Sequence, residues 1–297
     1  MLGPARPVRH GTFGLVIDPI VAAALASPAA PDEVTVEAAG IRFHVLAWGK
    51  PGAPAVLLMH GVTSNAWTWW RVGPAIAAAG YRVVAPDLPG HGRTGHWVGH
   101  VAFRDNAADL AELARAVFPG RDASEVRVVG HSWGAMTAAA FPSAGYVPAR
   151  LVLLDPPTIP LALIRQMLVD PTERRYDDID EAIAVVGRMN PTYGYGDVVA
   201  KAEALTQFDE PAVRAILTEN GDFDGGLAAL ADPAARDVPT RLIRGDPASG
   251  GLVPDGALPA FVDRLGEDGV ATIANSPHSP QRTHPVETTA ALLRALS

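Results

Sequence analysis

Residues 126–141 read Val-Arg-Val-Val-Gly-His-Ser-Trp-Gly-Ala-Met-Thr-Ala-Ala-Ala-Phe. Val126 to Val129 is a short β-branched run of the kind that forms a strand buried on both faces, and Ala135 to Phe141 continues as a helix. Between them lies Gly130-His131-Ser132-Trp133-Gly134, a G-x-S-x-G pattern in a strand-to-helix context. The two glycines have a steric reason: the serine occupies a strained turn, and side chains two positions before and after it would strike neighbouring backbone. Ser132 is thereby lifted clear of the sheet, with the N–H groups of the following helix aimed at any negative charge that develops beside it.

Outward from this stretch the same alternation recurs. Val34 to Ala38 and Ile41 to Trp48 form an expected hairpin turning at Gly40, followed by strands at Ala55 to Met59, Tyr81 to Ala85, Leu151 to Leu154, Thr240 to Ile243 and Val270 to Ala274. Helical patterns fill the gaps at Val72 to Ala79, Arg104 to Val117, Ala257 to Leu265 and Val286 to Leu296. Strands alternating with helices predict a mostly parallel, eight-stranded sheet flanked by helices. The alternation breaks from Asp155 to about Val238, where helices are expected at Leu161 to Val169, Ile179 to Met189, Val198 to Leu205, Pro211 to Glu219 and Gly226 to Ala231, with no convincing strand. A helical excursion at the edge where strand C-termini open reads as a cap over a binding crevice. The expected organisation is an N-terminal arm over 1–32, a core over 33–155 and 238–297, and a helical cap over 156–237.

Composition narrows the classes. The chain has 297 residues, 32 acidic against 24 basic, a net charge of −8 and no cysteine. Disulfides and thiolate metal sites are excluded. The acidic balance and scattered arginines lack the footprint that nucleic acid demands. No apolar run approaches the roughly 20 residues of a membrane span. Arg6 and Arg9 before Phe13 to Ala26 imitate a secretion signal, but Asp18 and Pro19 interrupt it and instead suggest a short helix over Pro19 to Leu25. The cytoplasm is the expected compartment, with secretion as the alternative. Oligomeric state has no signal.

At this point the chain resembles the α/β-hydrolase family from about residue 33 to the C-terminus. His60-Gly61 resembles the family's oxyanion loop, Ala85-Pro86-Asp87-Leu88-Pro89-Gly90-His91-Gly92 its fourth-strand turn, and His278 its catalytic histidine, though Pro277 stands where the family more often has glycine. The resemblance implies the α/β-hydrolase fold with a helical cap inserted after the sixth strand. It also implies a serine nucleophile at Ser132, with His278 as its base.

An unassisted serine hydroxyl is almost wholly protonated at neutral pH, so a base beside it is essential. The third member is ambiguous in the sequence. The position where the family commonly carries its acid after the seventh strand holds Ala248, while Asp246 comes two residues early in a lengthened loop. Asp155, ending the sixth strand, resembles the alternative family position and is preferred, with Asp246 kept open. Asp87 is read as tying down the Pro89 to Gly92 loop. By resemblance the oxyanion donors are the backbone N–H groups of Val62 and Trp133. Trp67, Trp97, Tyr193 and Tyr195 are candidate substrate-binding aromatics for a small apolar or aromatic compound. No cofactor or metal is implied. The expected activity is hydrolysis of an ester, lactone or related carbonyl compound. Carbon–carbon bond hydrolysis, cofactor-free haloperoxidase or lyase chemistry, and a non-catalytic ligand receptor are the alternatives; dehalogenase and epoxide hydrolase relatives carry aspartate where this chain has Ser132.

Overall fold

The computed structural model describes residues 17–94, 101–170 and 172–297. Ten strands run through them: β1 Asp32–Ala38, β2 Ile41–Trp48, β3 Ala55–Met59, β4 Arg82–Pro86, β5 Val126–His131, β6 Arg150–Leu154, β7 Thr158–Ile159, β8 Phe223–Asp224, β9 Thr240–Arg244 and β10 Val270–Thr272. Eight of them form one sheet in the order β1-β2-β4-β3-β5-β6-β9-β10. Only β2 runs against its neighbours β1 and β4; the other pairings are parallel. All five residues of β3 are buried. Its Val and Leu side chains each contribute about 1.5–3 kcal/mol on leaving water, which explains its unbroken apolar reading.

Two apolar layers sandwich the sheet. On one face, Leu110 and Leu113 of helix Phe103–Val117 join Ala135 and Ala138 of helix Trp133–Ala139 and Phe261 of helix Leu258–Leu265. On the other, Val72 and Ile76 of helix Val72–Ala78 meet Leu292 and Leu296 of helix Pro285–Leu296. The chain turns outward in opposite directions from β3, to β4 on one side and β5 on the other, so a crevice opens at the C-terminal ends of these strands.

The Asp18 and Pro19 that interrupt the signal-like run start a helix instead. Asp18 accepts from Ile20 N at 2.8 Å and Pro19 occupies the first turn of Pro19–Ala26, whose Val21 and Leu25 pack on Ala75. Residues 1–16 lie outside the described set, as does Trp97. Among the described residues no helix is long and apolar enough to cross a membrane.

Between β6 and β9 stand helices Leu161–Met167, Ile179–Met189, Tyr195–Thr206, Glu210–Glu219 and Leu227–Leu230. They enclose their own apolar cluster, including Ile164, Tyr176, Val186, Leu205 and Phe223, and this cluster takes in Met136 from helix Trp133–Ala139 and packs on Val62. The helical excursion therefore sits against the edge where Ser132 emerges. One feature differs from the sequence reading: β7 and β8 pair antiparallel within this stretch. Two residues apiece are too few to show a period of two.

Candidate active site

Ser132 links β5 to helix Trp133–Ala139 with φ 56° and ψ −126°, a conformation that L-residues avoid. The turn closes because a Cβ at Gly130 would stand 2.1 Å from Gly134 O, and one at Gly134 would stand 2.4 Å from His60 O. Only hydrogen fits at either place. Ser132 N–H donates to Leu154 O at 3.0 Å, tying the turn to the end of β6.

His278 follows β10 and places Nε2 2.9 Å from Ser132 Oγ and Nδ1 2.7 Å from Asp155 Oδ2. A carboxylate only accepts, so Nδ1 carries the ring proton and Nε2 accepts from the serine hydroxyl. Asp155 is fully buried directly after β6 and holds φ 42°. Two backbone donors fix its carboxylate: Gly245 N to Oδ1 at 2.8 Å and Leu252 N to Oδ2 at 3.0 Å.

These bonds explain the lengthened loop after β9, which folds around Asp155. Asp246 goes elsewhere. It accepts from Ala248 N at 2.9 Å, capping the 3₁₀ turn Pro247–Ser249, and from Asn275 N at 3.0 Å. The imidazole has both nitrogens engaged by Ser132 and Asp155, so Asp246, the other candidate acid, does not reach the ring and instead braces the loop that carries His278.

Gly61 brings the loop after β3 against the serine: a Cβ there would lie 2.8 Å from Ser132 Cβ and 3.3 Å from Oγ. Val62 N–H comes next in the chain. Trp133 N–H opens the following helix, where no earlier turn offers it a carbonyl. Burial pushes His60 down to about 4, and the neutral ring donates from Nδ1 to Gly61 O at 2.7 Å and accepts Leu88 N–H on Nε2 at 2.9 Å. His131 is likewise held well below the usual imidazole range by burial, with the neighbouring His278 adding to the effect. Its Nε2 donates to His278 O at 2.8 Å, while Gln281 Nε2 lies 3.3 Å from its Nδ1.

A model of the alpha/beta hydrolase family matches residues 56–292. The chain belongs to the alpha/beta hydrolase family. Epoxide hydrolase A of Mycobacterium tuberculosis is 39% identical over 109 residues, which are 36% of this chain and 33% of that protein. The chain thus spans only about a third of the length of that relative. Lipase LipV of the same organism is 29% identical over 274 residues, 85% of this chain and 97% of the lipase. Among solved structures, a thioesterase domain from the curacin biosynthetic pathway superposes with a TM-score of 0.68 at 25% identity, over 90% of this chain and 99% of that one.

The aromatic candidates of this alpha/beta hydrolase fare unevenly. Asn65 caps the 3₁₀ turn Ala66–Trp69 by accepting from Trp67 N, and the half-buried Trp67 packs against the layer of Trp69, Val72 and Ile76. Tyr195 begins helix Tyr195–Thr206 with 78% of its surface exposed, too open for an enclosed lining. Tyr193 packs on the helical cluster and lies 5.7 Å from the Arg282 guanidinium, four residues past His278. The Trp133 side chain is buried against His91, with ring centroids 5.5 Å apart. Burial lowers His91 to about 3.

Sequence reading missed a charged seam under the helical excursion. Asp197 accepts from Trp70 Nε1 at 2.9 Å and pairs with Arg71, while Arg282 donates to Asp197 O at 3.0 Å. Lys201 pairs with Glu173 at 2.7 Å. These residues are distant in sequence and belong to no motif, so only the folded chain unites them.

Proposed function

We propose that this chain is a serine hydrolase that cleaves an ester, lactone or related carbonyl compound with an apolar acyl group through a Ser132-His278-Asp155 triad. The observation that carries the reading is the unbroken relay from Asp155 through both nitrogens of His278 to Ser132 Oγ. Ser132 Oγ forms a bond to the carbonyl carbon as its proton passes to His278 Nε2, and Asp155 steadies the imidazolium. The oxygen that gains charge accepts from the backbone N–H groups of Val62 and Trp133. His278 then gives its proton to the departing alkoxide, leaving an acyl-serine. Water, deprotonated by His278, attacks that ester and releases the acid with Ser132 restored. The chemistry needs no cofactor.

Residues 156–237 act as the cap, and the acyl group lies beneath it near Val62 and Met136, which pack with the cap's cluster. Opening of an epoxide by an ionised carboxylate requires a carboxylate at position 132, which a neutral hydroxyl does not supply. The test is labelling with a fluorophosphonate probe and hydrolysis of p-nitrophenyl butyrate. We expect Ser132 to be the modified residue and Ser132→Ala to lose about 10⁶ in turnover. Persistent hydrolysis by that variant at near the parent rate would refute the reading.

A further inference from the structure

Thr63 directly follows the oxyanion-loop residue Val62 and has φ 55°. A β-branched residue there is an outlier that persists only when its surroundings hold it. What holds it comes from the helical excursion. Lys201, on helix Tyr195–Thr206, donates to Thr63 O and to Thr63 Oγ1, both at 3.0 Å. The Thr63 hydroxyl has two acceptors within reach for its one hydrogen, Glu173 Oε2 and Val62 O, each at 2.7 Å, and the Glu173 oxygen also accepts from Lys201 at 2.7 Å.

Lys201 has only 12% of its side chain exposed, and burial lowers its pKa while Glu173 opposes that shift. An ammonium kept in such a place needs a use. The same helix continues along the loop: Asp197 receives Trp70 and pairs with Arg71, and Gln207 just beyond it accepts from Asn65 at 3.3 Å. Arg282 reaches Ser64 at 3.4 Å from the other side.

We propose that Lys201 and Glu173 form a strut from the helical segment that holds Thr63 in its left-handed conformation and so keeps Val62 N–H aimed at the developing oxyanion. The strut rests on the serine-nucleophile reading and extends it: the oxyanion hole is complete only while the helical segment is docked. Lys201 and Glu173 are positioning residues and touch no reacting atom. Without the strut, Thr63 relaxes to negative φ and carries Val62 N–H off its line. Glycine at 63 adopts positive φ without a Cβ penalty and has less need of it.

The experiment compares the parent protein, Lys201→Met and the double variant Thr63→Gly/Lys201→Met, with thermal melting to verify folding. Turnover of p-nitrophenyl butyrate should fall about 10²-fold in Lys201→Met, with KM little changed, as for loss of one oxyanion donor. The double variant should recover roughly tenfold over the single one, a reversal that lost stitching between segments would not produce. If Lys201→Met does not fold, Lys201→Gln carries the same comparison. Parent-level turnover in the single variant, or a double variant no faster than it, overturns the strut while leaving the nucleophile intact. A parent protein that the fluorophosphonate probe fails to label at Ser132 overturns both.

Discussion

Nδ1 of His278 lies 2.7 Å from Asp155 Oδ2, while Asp246 binds the N–H of Asn275, three residues before that histidine. Two carboxylates thus serve one imidazole at different removes, the first through its ring and the second through its loop. Asp155→Asn should lower turnover by about 10⁴, because the amide no longer fixes the required tautomer. Asp246→Ala should leave kcat close to the parent and reduce stability by about 1 kcal/mol through the lost cap. Steady-state kinetics and urea unfolding on both variants check this, and a reversed ranking would transfer the acid role to Asp246.

Gly61 supplies a second, purely steric test. Its absent Cβ would stand 2.8 Å from Ser132 Cβ, so Gly61→Ala forces the loop and the serine apart. The displaced N–H of Val62 should cost on the order of 10² in kcat. Binding of a non-reactive product acid should change less, since the helical segment is untouched. Kinetics together with product inhibition separate the two effects.

How much of this was legible beforehand follows from the range of each interaction. The glycines around Ser132 could be read because their constraint is local: Gly130 meets Gly134 within the same turn. The central strands β3, β4, β5 and β6 could be read because burial on both faces leaves nearly continuous apolar runs. The choice between Asp155 and Asp246 could not, since it depends on the path of residues 245–252 around a carboxylate some 90 positions earlier. The placements of Trp67 and Tyr195 were equally hidden, because each aromatic turns inward or outward according to its own turn or helix. The link from Lys201 to Thr63 crosses 138 positions between unlike segments and leaves no periodic trace.

Asp87 lends itself to a pH test. It accepts from His44 Nδ1 at 2.8 Å, Ala66 N at 2.7 Å and Arg93 N at 2.8 Å. Burial opposes its ionisation, but these donors prevail and hold its pKa below the ordinary carboxylate value. The hydrogen bond to Asp87 raises His44 against its own burial, with Glu33 assisting. A raised histidine contributes stability that is full below its unfolded pKa and is lost as pH climbs through the folded one. A depressed carboxylate contributes above its unfolded pKa and is lost as pH falls through the folded one. The pair is therefore worth most between roughly pH 4 and 6.5, the unfolded values of the two groups. His44→Gln, which cannot ionise, should show its largest deficit in urea unfolding near pH 5.5 and a smaller one at pH 8.5. A deficit independent of pH would mean that His44 is neutral in the folded protein.

His131 provides the last test, because its contact is with the backbone of His278 and not with its ring nitrogens. The Nε2–H to carbonyl bond fixes where the imidazole begins, and the two rings lie 4.8 Å apart. A charged ring there would repel the imidazolium that forms on His278, and burial prevents that charge. His131→Phe preserves a planar ring but loses the donor, so about 1 kcal/mol of positioning energy is forfeited, roughly a fivefold loss in kcat. KM should move little, since ground-state binding does not require an aligned base. His131→Asn keeps a donor and should recover part of the loss if its amide reaches the His278 carbonyl. Equal turnover in the Phe variant and the parent would show that the loop around Pro277 holds His278 unaided.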